Sequence, residues 1–228
     1  MFINSIFSAL SGMRTSATKL QTSANNLANL QTPGFKKSRT EISDVSSGGA
    51  QVSAVTRLST PGSPIPTTNP LGLAVNGEGY FQVSLADGGT GFTRAGSFKI
   101  DNTGQITTSS GNPLSPPVSV PGNATGVSID SSGQVSAIVG GSSVTVGQIE
   151  LAQFNNPGGL TAEGGNLFSA SSGPSVSGTP GSGSRGTVIS GALESSNVDI
   201  AEEIVGQIVS KAAFKANASV IRAADELI

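Results

Sequence analysis

The chain has 228 residues, a formal charge of −2 and only 11% charged residues, against about 25% in an ordinary soluble domain. It contains no histidine and no cysteine, which excludes imidazole acid–base chemistry, Ser-His-Asp and Cys-His nucleophiles, and thiolate or imidazole metal ligands. No catalytic residue, cofactor or metal is therefore expected, and without a net basic field neither nucleic acid nor an anionic membrane is an expected partner.

Residues 3–29 read as one helix. Ile3, Ile6, Leu10, Met13, Ala17, Leu20, Ala24 and Leu27 are spaced alternately three and four apart, the seam of a helix that lies along another helix. Asn4 is placed to cap its start. Asn29 is placed to end it in the left-handed conformation, with Pro33-Gly34 blocking continuation. The helix also holds Ser5, Ser8, Ser11, Thr15, Ser16, Thr18, Thr22 and Ser23. Such weak helix formers do not sustain a helix alone, so its order depends on packing against a partner.

Residues 37–70 read as an extended connection with Pro61, Pro64, Pro66 and Pro70, interrupted by one short strand over 51–58. Residues 71–194 read as an all-β domain. Its candidate strands are 73–75, 80–85, 92–94, 97–101, 105–108, 127–130, 134–139, 144–154 and 187–193, with Gly, Asn, Asp and Pro between them. The Gly/Ser-rich stretch 170–186 reads as a mobile loop. The pattern I-D-x-x-G-Q-[I/V] occurs twice, from Ile100 and from Ile129. It describes a hairpin whose turn begins at Asp, whose side chain holds turn amides, with Gly supplying a positive φ. A calcium loop fits poorly, because Asn112 stands where the terminal glutamate belongs.

Residues 195–228 carry the second helix. Ser196 or Asp199 can cap it, and Glu202 and Glu203 lie in its first turn, where the helix dipole favours them. A stripe of Val205, Val209, Ala212, Ala216, Ser219 and Ala223 follows, widened by Ile208, Val220 and Leu227. Its small members allow a partner helix to approach closely. The fold class is thus α+β, with the two terminal helices packing as a coiled-coil-like pair or bundle. The domains are 1–36 for the first helix and its motif, 37–70 for the connection, 71–194 for the β-domain and 195–228 for the last helix.

Residues 23–36 read S-A-N-N-L-A-N-L-Q-T-P-G-F-K. Asn25, Asn26, Leu27, Ala28, Asn29, Thr32, Gly34, Phe35 and Lys36 complete a pattern that resembles the N-terminal signature of the bacterial flagellar rod and hook family. Residues 73–83 with 92–98 look like that family's central β-domain. Residues 191–203, with Asn197 and Val198, look like its C-terminal signature. Within the family the resemblance is nearest to the distal rod member or the proximal rod member that has a β-domain.

The resemblance implies a structural subunit of the basal-body rod that polymerises helically and transmits motor torque to the hook. The terminal helices would form an inner tube. Copies of itself, other rod proteins, the hook subunit and outer bushing-ring proteins would be its partners. The subunit-interaction residues would be Ile6, Leu10, Met13, Ala17, Leu20, Ala24, Leu27, Val205, Val209, Ala212, Ala216 and Ala223. No apolar run approaches the roughly 18 residues of a membrane span, and no secretory signal is recognisable, which alone reads as cytoplasmic. The resemblance implies instead export through the flagellar type III apparatus. A hook-type axial subunit and a non-flagellar secreted β-rich binding module remain as alternatives.

Overall fold

A computed structural model describes residues 2–170 and 176–226. Ile3's side chain and Leu227, both read as seam positions, lie outside the described residues, as does part of the Gly/Ser-rich stretch. The class is α+β: long helices near both ends of the sequence, strands between. The chain divides into two compact units. One gathers Met1–Gln31, Lys36–Ser59 and Asn197–Ile228, and the other Thr32–Phe35 and Thr60–Ser196.

The helical unit holds α1 (Phe2–Ala28), α2 (Ile200–Asp225) and an antiparallel hairpin of β1 (Ser38–Asp44) and β2 (Ala50–Arg57). The connection read as extended therefore begins with a hairpin, of which only the second strand was legible. α1 already runs at Phe2, ahead of Asn4. Asn29 does not turn left-handed, since Asn166 is the only non-glycine with positive φ among the described residues. Instead its N–H bonds Asn26 O at 3.1 Å and its side-chain amide donates to Asn25 O at 3.0 Å, so the last turn tightens on itself. At α2 the Asp199 carboxylate accepts from Glu202 N–H at 3.0 Å, the expected cap.

The face that α1 and α2 share is not the apolar one. Ala9, Ser16, Ser23 and Asn26 are buried on α1, and Glu203, Ser210 and Ala224 on α2. Between the latter, Gln207, Phe214, Asn217 and Ile221 are half-buried, which completes a stripe at spacings of four and three. The Ser23 hydroxyl donates to Glu203 O at 3.2 Å, and Asn217 fills the space over Gly12. Early α1 meets late α2, so the pair is antiparallel. A third α1 stripe meets the hairpin. There Ser11 Oγ accepts from Ala50 N–H at 3.1 Å, and the Thr40 hydroxyl donates to Thr22 Oγ1 at 3.0 Å. Several of the weak helix formers, Ser11, Ser16, Thr22 and Ser23 among them, thus lie on α1's contact faces, where short side chains admit close neighbours.

The β unit is built from antiparallel pairs. A six-stranded sheet has the order Leu160–Gly164, Leu167–Ala170, Thr90–Thr93, Tyr80–Ser84, Leu151–Gln153 and Val176–Gly178. A three-stranded sheet runs Ser142–Gln148, Gln134–Val139, Ala124–Ile129. The segment read as one strand over 144–154 breaks into two at Ile149-Glu150, and 187–193 likewise divides at Gly191. Residues 171–175 lie outside the described residues, while Val176–Gly178 beyond them pairs with Leu151–Gln153.

The core gathers Leu73, Phe81, Val83, Phe98, Ile106, Val135 and Leu151, with Phe81 and Phe98 edge-to-face at 5.2 Å. Both repeated turns form as read. The Asp101 carboxylate accepts from Thr103 N–H and Oγ1 and from Gln105 N–H at 2.7–2.9 Å, and Asp130 does the same with Ser132 and Gln134.

Candidate functional site

The twelve seam residues do not face one another. On α1, Ile6, Leu10, Met13, Leu20 and Leu27 are half-buried and Ala17 and Ala24 exposed. On α2, Val205, Val209, Ala212, Ala216 and Ala223 are all exposed. Val205, Ile208 and Val209 are each 60–63% exposed, and Phe7 of α1 is 63% exposed. The helical hairpin therefore joins stripes made mostly of small and polar residues and leaves the aliphatic stripe of α2 bare.

The N-terminal motif divides by role. Asn25 and Ala28 are exposed and Asn26 is buried. Asn26 spends its whole amide: Nδ2 donates to Ser38 O at 2.9 Å and Glu203 Oε1 at 2.8 Å, and Oδ1 accepts from Ser38 N–H at 2.9 Å. One side chain thus ties the end of α1, the start of β1 and the start of α2. Asn197 does similar work, accepting from Lys37 N–H at 2.7 Å and donating to Leu58 O at 3.1 Å, which clasps the two ends of the β hairpin. Val198 beside it is buried, and Lys37 pairs with Glu202 at 2.6 Å.

Thr32, Gly34 and Phe35 belong to the β unit. Thr32 O accepts from Phe35 N–H at 3.2 Å, and Gly34 N–H donates to Glu194 O at 2.8 Å. Gly34 has φ +70°, and a Cβ there would sit 2.5 Å from the Arg94 carbonyl carbon. Conformation and space both demand glycine.

The sequence reading missed the ion pair beneath this turn. Arg94 and Glu194, 3% and 1% exposed, lie 3.2 Å apart. Arg94 also donates to Gly77 O at 2.8 Å and stands over the Tyr80 ring at 5.1 Å, while Glu194 Oε1 accepts from Gly62 N–H at 2.9 Å. Four separate stretches of the β unit meet at this pair. Its only sequence signal is two charges within otherwise strand-forming, sparsely charged segments. Glu203, read only as a favourable first-turn charge, was likewise missed as a buried group. Among the described residues no group of three or more His, Cys, Asp or Glu could hold a metal, and no helix is long and apolar enough to cross a membrane.

Terminal helices that spend polar stripes on each other and keep an aliphatic stripe bare, with a separate β unit inserted between them, define the class of a structural axial subunit. The chain belongs to the flagellar basal-body rod protein family. Three family models match it in order: the flagella basal body rod protein over residues 6–36, the flagellar hook protein FlgE/F/G D1 domain over 74–137, and the flagellar basal body rod FlgEFG protein C-terminal region over 189–228. It is 36% identical to the flagellar basal-body rod protein FlgG of Caulobacter vibrioides, covering 96% of this chain and 95% of that one. Against the same protein of Bacillus subtilis it is 35% identical, with 99% and 97% covered. The flagellar hook protein FlgE of Escherichia coli is 46% identical over 85 residues, only 36% of this chain and 21% of that one. The protein is a structural subunit of the rod in the flagellar basal body. Full-length similarity to rod proteins outweighs the hook alternative and sets aside a non-flagellar binding module.

Proposed function

We propose that this subunit polymerises helically with its own copies through the terminal helices, joins other rod proteins and the hook subunit along the axis, and so carries torque. The observation that carries this reading is the bare α2 stripe of Val205, Ile208 and Val209, about 60% exposed. Burying such side chains is worth ~1.5–3 kcal/mol each, and no described residue of the helical unit covers them. The half-buried α1 ladder of Ile6, Leu10, Met13, Leu20 and Leu27, with Ala17 and Ala24, supplies a second apolar face. A stripe on one copy that meets a different surface on the next makes a heterologous contact, and such contacts extend without closing. The test is deletion of residues 1–29 or of 199–228, followed by electron microscopy of the purified chain and motility of cells carrying it. Loss of filaments and motility is expected from either deletion. Filaments that persist without both ends would sink the model.

A further inference from the structure

The helical unit carries an open cleft of about 350 Å³ where α1 ends and α2 begins, lined among others by Lys19, Asn26, Arg39, Glu203 and Gly206. Its floor is the Glu203 side chain, 9% exposed. One carboxylate oxygen accepts from Asn26. The other has no protein partner among the described residues and faces the open cleft. A carboxylate at the floor of such a cleft attracts a cation, and the attraction strengthens when a partner excludes water from it. The chain's own cations do not relieve it. Lys37 is committed to Glu202 at 2.6 Å and Arg39 to Glu41 at 2.7 Å, while Lys19 stays exposed on the rim with no ion pair among the described residues.

The opposite end of the same hairpin carries the complement. Arg222, in the last turn of α2, is exposed and makes no ion pair among the described residues, and Asp225, three residues on, is exposed too. Glu203 and Arg222 are nineteen residues apart, roughly 28 Å along the helix at 1.5 Å per residue. They cannot meet within one chain, but copies stacked end to end bring one to the other. Lys211 and Lys215 lie mid-helix, where end-to-end stacking does not bring them to the cleft.

We infer that the cleft is a charge-reading socket for a second copy, in which Arg222 of one subunit inserts over Glu203 of the next, with Asp225 left to meet Lys19. This rests on the assembly reading above and deepens it. The apolar stripes supply non-directional adhesion, whereas a buried carboxylate accepting a guanidinium fixes the register. Because the contact joins opposite ends of the hairpin, it is heterologous and propagates along the axis.

Two measurements test it. Glu203→Gln keeps the acceptor for Asn26 and the side-chain shape while removing the charge. It should leave the monomer's circular dichroism unchanged yet raise the critical concentration for polymerisation about tenfold, the scale of one hydrogen bond to a charged group. Arg222→Gln should do the same, and Lys211→Gln should not. Because the chain has no native cysteine, disulfide mapping is unambiguous. A Cβ on Gly206 meets nothing within 4 Å, so Gly206→Cys fits the cleft wall. Mixed filaments of Gly206→Cys and Arg222→Cys subunits should cross-link into dimers on mild oxidation. Glu203→Gln polymerising at the wild-type concentration, or mixed filaments without that cross-link, overturns the socket. Wild-type chain that forms no filament at all overturns the assembly reading itself, a distinguishable failure.

Discussion

Gly12 of α1 and Asn217 of α2 meet with no space between them: a Cβ on Gly12 would fall 2.6 Å from Asn217 Nδ2 and 2.9 Å from its Cγ. Asn217 turns that amide back to Ala213 O at 3.0 Å, so the side chain that fills the gap is itself held. The contact shows what joins the two helices. It is close approach of small and polar residues, with Phe214 and Ile221 half-buried in the same stripe.

Substitutions at Gly12 should therefore separate by size. Gly12→Ala pushes only on the far end of a rotatable side chain, and alanine returns up to about 1 kcal/mol of helix propensity, so its melting temperature should stay near wild type. Gly12→Leu has nowhere to go and should cost about 1–3 kcal/mol, the usual penalty for overpacking. Thermal melts followed by far-ultraviolet circular dichroism distinguish them. Equal melting for both variants would refute the close contact.

The Arg94–Glu194 pair gives a second prediction. Glu194→Gln leaves a buried guanidinium without its counter-charge and should destabilise the β unit by about 3–5 kcal/mol, whereas Arg94→Met with Glu194→Leu together should cost less than either charge removal alone. Tyr80 is the only tyrosine and tryptophan is absent, so the near-ultraviolet signal reports on the ring beneath Arg94. Additive costs in the double mutant would show that the two charges are not coupled.

Much of the chain was legible because its elements follow simple periods. The alternation in residues 134–139, the Asp-to-Gly turns and the Asp199 cap each depend on a few neighbouring residues. The contact face between α1 and α2 was not legible by hydrophobic pattern, since its heptad spacing is written in Ala9, Gly12, Ser16, Ser23 and Asn26 against Glu203, Ser210 and Asn217. The more visible apolar ladder drew attention to the faces the monomer leaves open. Strand Ser38–Asp44 was missed because it alternates charged and hydroxyl residues around a lone Ile42, and Pro64–Pro66 because proline is admitted only at a sheet edge.

The paired turns make an acid prediction. Asp101 is held below the ordinary value of 3.8 by the Thr103 hydroxyl and then the Gln105 amide, and Asp130 likewise by the Ser132 hydroxyl and then the Gln134 amide. A depressed folded pKa gives stability that is present above the unfolded value and lost as pH falls through the folded one. The gap in stability between wild type and Asp101→Asn/Asp130→Asn should thus be open at neutral pH and close below about pH 4. Urea titrations at several pH values measure it, and a gap independent of pH would contradict the carboxylate's role.

The bare stripes make the last prediction. Val209 is 61% exposed and Ala216 is exposed, so Val209→Asp and Ala216→Leu disturb nothing inside the subunit. Both should keep the wild-type circular dichroism and melting temperature while blocking polymerisation, the first by burying a charge between copies and the second by overfilling a close approach. Leu20→Asp tests the α1 face in the same way. Because Leu20 is half-buried, it should lose a little monomer stability as well, which separates the ladder from the α2 stripe. Sedimentation of the assembled fraction against subunit concentration reads all three. Polymerisation at wild-type concentrations by Val209→Asp would mean that α2's aliphatic face stays in solvent in the rod, and the assembly surface would then have to be sought on the α1 ladder or the β unit.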